Sequence, residues 1–276
     1  FSYAGYFSSP VTAGRSSDIN ITFDNNGKYF ANNAYWARGF FPDATYNTSL
    51  YQGAPGDIYV NMRSDAVRLP SYELGSAGYF LMLHEIGHTI GLKHTHDNGG
   101  TGRPTLDEIG LGDYNADWFS MMSYEDGLDF DLLSWDPAAP MLLDVLALQA
   151  LYGQNMNTAA NDTSYTLPLN NFYDTIWDAG GNDYLDLRDS PVGWEVQLPS
   201  LQLSDIVDTR FGAACPTTTV LGGEGTFYWL TGDIESALGS QFNDFLSGSV
   251  LNNLLCGAGG NDVIDGGDGL DKAYLL

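Results

Sequence analysis

The sequence predicts two domains of different class, an α+β domain followed by an all-β domain. Three observations carry that prediction. Strand-like alternation and two apolar helical segments are confined to the chain before about Gly153. All four histidines fall between residues 84 and 96. A nonapeptide period with Gly and Asp at fixed places runs from Gly239 almost to the end.

In the first part, Asp18-Ile19-Asn20-Ile21-Thr22-Phe23 and Asp57-Ile58-Tyr59-Val60-Asn61-Met62 alternate in polarity and read as strands. Ser76 to Leu92 is apolar with small residues and reads as a buried helix. A second helix starts at Pro140, which suits a first helical turn, and ends at Gly153. Beyond Gly153 helical signals vanish, and short runs are punctuated by Gly, Asn and Asp.

Composition narrows the function. The 276 residues suffice for one large or two modest domains with a real core. Ten Lys and Arg against 35 Asp and Glu give a net charge of −25, which excludes a phosphate-binding surface and hence nucleic acid or an anionic membrane as partner. With 43% hydrophobic and 13% aromatic residues the chain is folded rather than an acidic tail. No apolar run reaches the ~18 residues of a membrane span. Cys215 and Cys256 allow one bridge or two free thiols. Residues 1–10 show no basic leader, so the chain reads as processed or excised at its start.

The densest chemistry is His84-Glu85-Ile86-Gly87-His88-Thr89-Ile90-Gly91-Leu92-Lys93-His94. On a helix, residues four apart share a face, so His84 and His88 can bind one Zn²⁺. Glu85 is not placed as a ligand but can reach a metal-bound water. Gly91 can take positive φ and end the helix, so that the chain turns back and His94 completes a three-His site. Three protein ligands leave a position open, which is the catalytic arrangement; a structural zinc site would close it. A helix with satisfied histidines would need neither Gly91 nor a third His. His96 reads as a surface residue.

This extended run is the metzincin signature. Ser120-Met121-Met122-Ser123-Tyr124 supplies the Met-containing turn expected downstream, and its Ser-x-Met-Ser-Tyr form resembles the serralysins. Asp113-Tyr114-Asn115-Ala116, Ala139-Pro140-Met141-Leu142 and Leu151-Tyr152-Gly153 also look like serralysin segments. The resemblance runs from about Asp18 to the end and is weakest between Asp189 and Leu230. It implies that Met122 is the Met-turn residue and that Tyr124 is an additional zinc ligand. Tyr124 would leave the metal when substrate binds and stabilise the oxyanion. It also implies that Tyr35–Phe41 is the edge strand that pairs with extended substrate. Three departures stand out. Only 17 residues precede Asp18 where the family has a strand and a long helix, two Cys occur where it usually has none, and little chain follows the repeats. A fragment and a shortened member both fit.

The nonapeptides start at Gly239, Gly248, Gly257 and Gly266 and match the GGxGxDxUx pattern of a calcium-binding parallel β-roll. Their sixth positions are Asp244, Asn253, Asp262 and Asp271, and their eighth are Leu246, Leu255, Ile264 and Ala273. Glycines expose turn carbonyls, Asp adds a carboxylate oxygen, and Ca²⁺ takes six to eight oxygens. The apolar eighth residue should point into the roll. The expected calcium residues in the repeats are Asp244, Gly257, Gly259, Asp262, Gly266, Asp268 and Asp271. A separate copy spans Asp178 to Asp186. By resemblance Asp178, Gly180, Gly181 and Asp183 bind calcium there, with Thr163 and Glu235.

The expectation is therefore a secreted zinc endopeptidase with one catalytic Zn²⁺, several structural Ca²⁺, catalytic Glu85 and Tyr124, and zinc ligands His84, His88, His94 and Tyr124. Residues 1–157 would form the metzincin domain, and residues 158–276 a β-rich domain with repeats at 239–274. Protein or peptide substrates, a proteinaceous inhibitor, a monomeric state and type I secretion follow from the resemblance. High acidity with few Lys would suit a saline setting. The alternative is a calcium-binding secreted module with a degenerate, inactive protease domain.

Overall fold

The computed structural model describes residues 19–32, 35–42, 51, 55–68, 72–98, 102–125, 136–204, 207–219 and 225–275. Two compact units form, residues 1–138 and residues 139–276. Among the described residues no helix is long and apolar enough to cross a membrane.

In the first unit, β1 (Ile21–Asp24), β2 (Ala37–Gly39) and β3 (Ile58–Asn61) make one sheet in the order β1-β3-β2. β1 runs parallel to β3, and β2 antiparallel to it. Asp18, where the sequence reading begins the first strand, lies outside the described residues. β3 is buried along its whole length because both of its edges are paired and α2 (Ala77–Thr89) lies against it and against β2. A short helix α1 (Asp65–Arg68) links β3 toward α2. The β1 exit is held by Asp24. Its buried carboxylate accepts hydrogen bonds from the backbone N–H groups of Asn26, Gly27, Lys28, Tyr29 and Phe30.

Ser76 caps α2 from an extended conformation, and its hydroxyl accepts from the Tyr79 N–H. At the other end Gly91 takes φ 100°, and the Leu92 N–H reaches back to the Gly87 carbonyl at 2.9 Å. The glycine stop is where the sequence puts it.

The second unit opens with α3 (Leu142–Tyr152), closed by Gly153 at φ 82°. The sequence reading places Pro140 in the first helical turn, but the helix begins two residues later. The Asp144 carboxylate accepts the Met141 N–H at 2.9 Å, which makes Met141 the cap and leaves Pro140 outside. The rest is strand: β4 (Ser164–Tyr165), β5 (Tyr173–Asp178), β6 (Tyr184–Asp186), β7 (Trp194–Ser204), β8 (Val207–Pro216), β9 (Phe227–Gly232), β10 (Ser236–Leu238), β11 (Phe245–Ser247), β12 (Leu254–Cys256), β13 (Val263–Asp265) and β14 (Lys272–Tyr274).

These strands form two sheets, β14-β12-β10-β6-β4 and β13-β11-β7-β8-β9-β5. The first is parallel throughout. In the second, β13, β11 and β7 are parallel, as are β5 and β9, while β8 is antiparallel to both neighbours. Leu246 pairs with Ile264, and Leu255 with Ala273, so each nonapeptide strand pairs with the strand two repeats on. Successive repeats therefore alternate between sheets. Leu185, Trp194, Val196, Leu198, Leu230, Ala237, Leu246 and Leu255 fill the core. The eighth-position residues follow the expected inward pattern at Leu246 and Leu255, which are buried. Ile264 is half-buried and Ala273 is exposed. Ala273 lies on β14, which among the described residues is an end strand of its sheet. Cys215 and Cys256 are both free thiols.

Candidate active site

The first unit brings the histidines together as the spacing requires. His84 and His88 lie one turn apart on α2, and the Gly91 turn returns the chain so that His94 faces both. The His88 and His94 Nε2 atoms are 3.0 Å apart, and the His94 and His84 Nε2 atoms 3.2 Å. Each ring is fixed from behind through Nδ1. His84 Nδ1 lies 2.7 Å from the Met121 carbonyl, His88 Nδ1 2.8 Å from the Leu92 carbonyl, and His94 Nδ1 2.8 Å from an Asp97 carboxylate oxygen. All three partners can only accept, so all three Nδ1 atoms carry the proton. The Nε2 lone pairs of the neutral His84 and His88 rings then converge with His94 Nε2 on one point, and lone pairs held so close repel. A cation resolves that repulsion. Tetrahedral ligands at ~2.0–2.1 Å from zinc sit roughly 3.3 Å apart, close to the spacing found.

Electrostatics agree. Burial, then the neighbouring His88, hold the His84 imidazole well below its ordinary pKa, and burial brings His88 down to about 4. Both are neutral at pH 7, the form that ligates a metal. The Tyr124 hydroxyl lies 2.8 Å from His94 Nε2, and burial, followed by Glu85 and Asp97, pushes its pKa up to about 12. It therefore meets the site as a phenol rather than a phenolate.

Glu85 is buried, and burial raises its pKa to about 7. One of its oxygens, Oε2, accepts the backbone N–H of Gly39 on β2. A Cβ on Gly39 would run into the Glu85 carbonyl, so glycine there lets the strand approach the helix. Gly87 does the same on another face, where a Cβ would strike the Met122 and Met121 side chains. Both methionines are buried beneath the histidines, and the Met121 carbonyl is the one that orients His84.

Three residues to which the sequence reading gave no role hold this arrangement. Asp97 orients His94, and the Lys93 ammonium ties the loop by donating to the His94 and Asp97 carbonyls. Asn115 Oδ1 accepts from the hydroxyls of Thr95 and Ser123, joining the His94 loop to the Met-containing turn. An acid three residues after His94 was the available signal for Asp97; Asn115 falls in the serralysin-like run 113–116, but its bonding partners are not legible there. His96 is exposed as expected, yet its ring stacks 5.1 Å from His94 and 4.5 Å from Tyr124.

The expected calcium residues divide. Thr163, Asp178, Gly180, Gly181, Asp183 and Glu235 converge. Asp183 Oδ1 accepts the Thr163 N–H at 2.6 Å, and Glu235 Oε2 accepts the Asp183 N–H at 2.8 Å. Asp178 accepts from Gly180 N–H and from the Tyr165 hydroxyl. Asp183 Oδ2 is buried with no hydrogen-bond partner, close to the Asp178 carboxylate. An orphaned oxygen beside a second carboxylate suits a hard cation. Gly257, Gly259, Asp262, Gly266, Asp268 and Asp271 lie in the turns before β13 and β14, where Asp262 and Asp271 each give one oxygen to a backbone N–H eighteen residues earlier. At Asp244, as at Asp178, both oxygens accept from protein donors, whereas the other sixth-position acids each keep one oxygen without a donor among the described residues.

No family model matches the chain. Among characterised proteins, it is 31% identical over 223 residues to Serralysin C of Dickeya chrysanthemi, covering 73% of this chain and 43% of that protein. It is 31% identical over 203 residues to Metallopeptidase AprA of Pseudomonas marginalis, covering 66% and 40%. To Serralysin B of Dickeya chrysanthemi it is 29% identical over 246 residues, covering 82% and 47%. The chain thus spans less than half the length of these relatives. With its His-Glu-x-x-His helix, its third His and its Met-containing turn, the chain belongs to the serralysin-like metalloproteases.

Proposed function

We propose that this chain carries the machinery of a secreted zinc endopeptidase that hydrolyses extracellular proteins. The observation that carries the reading is the convergence of three imidazoles, each held from behind through Nδ1, with Nε2 atoms 3.0 and 3.2 Å apart. His84, His88 and His94 would hold the zinc, with Tyr124 as a further ligand at rest. Zinc there would lower the pKa of a water toward ~7 and polarise the scissile carbonyl.

The chain's own residues supply the rest. Glu85, raised to about 7 by burial, is poised to take a proton from the attacking water and return it to the leaving amine. The Gly39 N–H keeps one Glu85 oxygen in place while the other remains for the water. Tyr124, a phenol at neutral pH, can donate to the developing oxyanion. β2 is an edge strand of its sheet among the described residues and would offer backbone groups to an extended peptide, which favours broad specificity. On this reading residues 1–157 are the catalytic domain and residues 158–276 a calcium-stabilised parallel β-roll. Calcium would be held at Thr163, Asp178, Gly180, Gly181, Asp183 and Glu235, and at the Asp262 and Asp271 turns. The alternative of an inactive module is not favoured, because every residue type the chemistry needs is present at His84, Glu85, His88, His94 and Tyr124.

Casein hydrolysis by the purified chain, with a zinc chelator as control and Glu85→Ala as variant, tests the proposal. Activity should vanish with the chelator, return with zinc, and fall by orders of magnitude in a zinc-loaded Glu85→Ala protein. Chelator-resistant activity, or a fully active Glu85→Ala protein, would refute it.

A further inference from the structure

The four nonapeptide turns are not alike, and they fall into two pairs. In the turns 257–262 and 266–271 the second and fourth positions are left-handed: Ala258 at φ 64°, Gly260 at 113°, Gly267 at 79° and Gly269 at 126°. In the turns 239–244 and 248–253 the same positions are Ser240, Phe242, Ser249 and Leu251, and none has positive φ. A left-handed residue turns its carbonyl the other way, so the two pairs present different atoms to whatever lies in the turn.

The first pair is closed by its own side chains, with the same bonds in both turns. The Ser240 N–H donates to Asp244 Oδ2 at 2.7 Å, and the Ser249 N–H to Asn253 Oδ1 at 2.7 Å. The Ser240 hydroxyl accepts the Phe242 N–H at 3.0 Å, and the Ser249 hydroxyl the Leu251 N–H at 3.1 Å. The sixth-position side chain is then consumed from further directions. Asp244 Oδ1 accepts the Trp194 N–H at 2.7 Å and faces the Ser240 hydroxyl at 3.0 Å. The Asn253 amide nitrogen donates to the Glu235 carbonyl at 2.9 Å and faces the Ser249 hydroxyl at 3.2 Å. Even the Gly248 carbonyl is taken, by the Gln197 amide at 2.8 Å. Asp244 and Asn253 are almost fully buried.

In the second pair, Asp262 and Asp271 each give one oxygen to a backbone N–H, at 3.0 and 2.9 Å, and among the described residues no protein donor reaches the other oxygen. Asp244 thus has a protein donor on each oxygen, where Asp262 and Asp271 each have one oxygen without, and the amide nitrogen of Asn253 repels a cation.

We propose that the turns 239–244 and 248–253 are self-capped by Ser240–Asp244 and Ser249–Asn253, bind no cation, and leave calcium to the turns 178–183, 257–262 and 266–271. The inference rests on the reading of this unit as a calcium-binding one. It turns a serine at the second position into the mark of a metal-independent turn, and it gives the two-sheet core a calcium-independent segment around β11 and β12.

Calcium titration of the whole chelator-treated chain by calorimetry, with thermal melts in calcium and in chelator, tests it. Asp183→Asn should lose one bound calcium. Asp244→Asn, Ser240→Ala and Ser249→Ala should bind as many calcium ions as the parent, with affinity within about twofold, because they hold no ligand. They should lower the melting temperature equally with and without calcium. Should Asp244→Asn fail to fold, the two serine variants, which remove only a cap, decide the matter. Loss of a calcium ion in any of the three, or a melting deficit seen only in calcium, would overturn the inference. A parent chain that binds no calcium would overturn the calcium reading itself, and is distinguishable because the variants would then not differ from the parent in binding.

Discussion

Asp97 accepts a hydrogen bond from His94 Nδ1 at 2.8 Å, and this contact decides which nitrogen of the third histidine faces His84 and His88. The other two rings are oriented by backbone carbonyls, which no substitution removes. His94 sits on a loop rather than on a helix, so its orientation depends on a side chain. A carboxylate behind a ligating imidazole also raises its basicity.

Asp97→Ala should therefore weaken zinc binding by about 10–100-fold, while Asp97→Asn, which keeps an acceptor oxygen, should lose less. Competition against a chelator of known affinity reads this out, and the parent kcat should return at saturating zinc. Unchanged affinity in Asp97→Ala would reduce Asp97 to a loop contact.

Tyr124→Phe should keep zinc and lower kcat by about 10–10³-fold with little change in KM, since the lost donor acts on the transition state. The hydroxyl is 2.8 Å from His94 Nε2, and phenylalanine keeps the ring that packs on His84, His94 and His96, so the loss should not spread to stability. A change in KM alone would place Tyr124 in substrate binding instead.

Calcium should reverse the pH dependence of the second unit. Burial is the main cause that raises the pKa values of Asp183 and Glu235, with the nearby Asp178 adding to the first and Asp183 to the second. A raised carboxylate pKa means the folded state binds the proton more tightly. In chelator that stabilisation is complete below the ordinary values of 3.8 and 4.5 and is lost as pH rises through the raised ones. Chelated protein should melt higher at pH 4 than at pH 7, and calcium should invert the order by replacing the protons. Circular dichroism melts at the two pH values check this; the same order in calcium and chelator would disprove it.

Asp24→Ala should destabilise the first unit by at least ~2 kcal/mol, because five backbone N–H groups lose a buried acceptor. Burial alone would raise the Asp24 pKa, but the backbone donors together outweigh it and the net shift is downward. Its contribution is therefore present above the ordinary value of 3.8 and lost as pH falls through the lowered one. Denaturant unfolding of parent and variant at neutral pH measures the difference, and a variant as stable as the parent would show that water replaces the carboxylate.

The sequence by itself determined what is local. Histidines four apart on a helix share a face, a glycine with positive φ stops that helix at residue 91, and a period of nine with an apolar eighth residue makes strands of the repeats. Each follows from short-range geometry that needs no partner. Tertiary structure decided what depends on distant chain. The Tyr124 hydroxyl meets His94 across thirty residues, Gly39 places a strand amide on Glu85, and Asn115 joins two loops. It also decided which sixth-position acids have a protein donor on both oxygens. Asp244 holds the same sixth position as Asp262, though in a repeat without the middle glycine, and Trp194, fifty residues earlier, donates to one of its oxygens. A hydrogen-bond donor supplied from another strand leaves no trace in a nine-residue pattern, and a carboxylate has only as many lone pairs as its neighbours leave it.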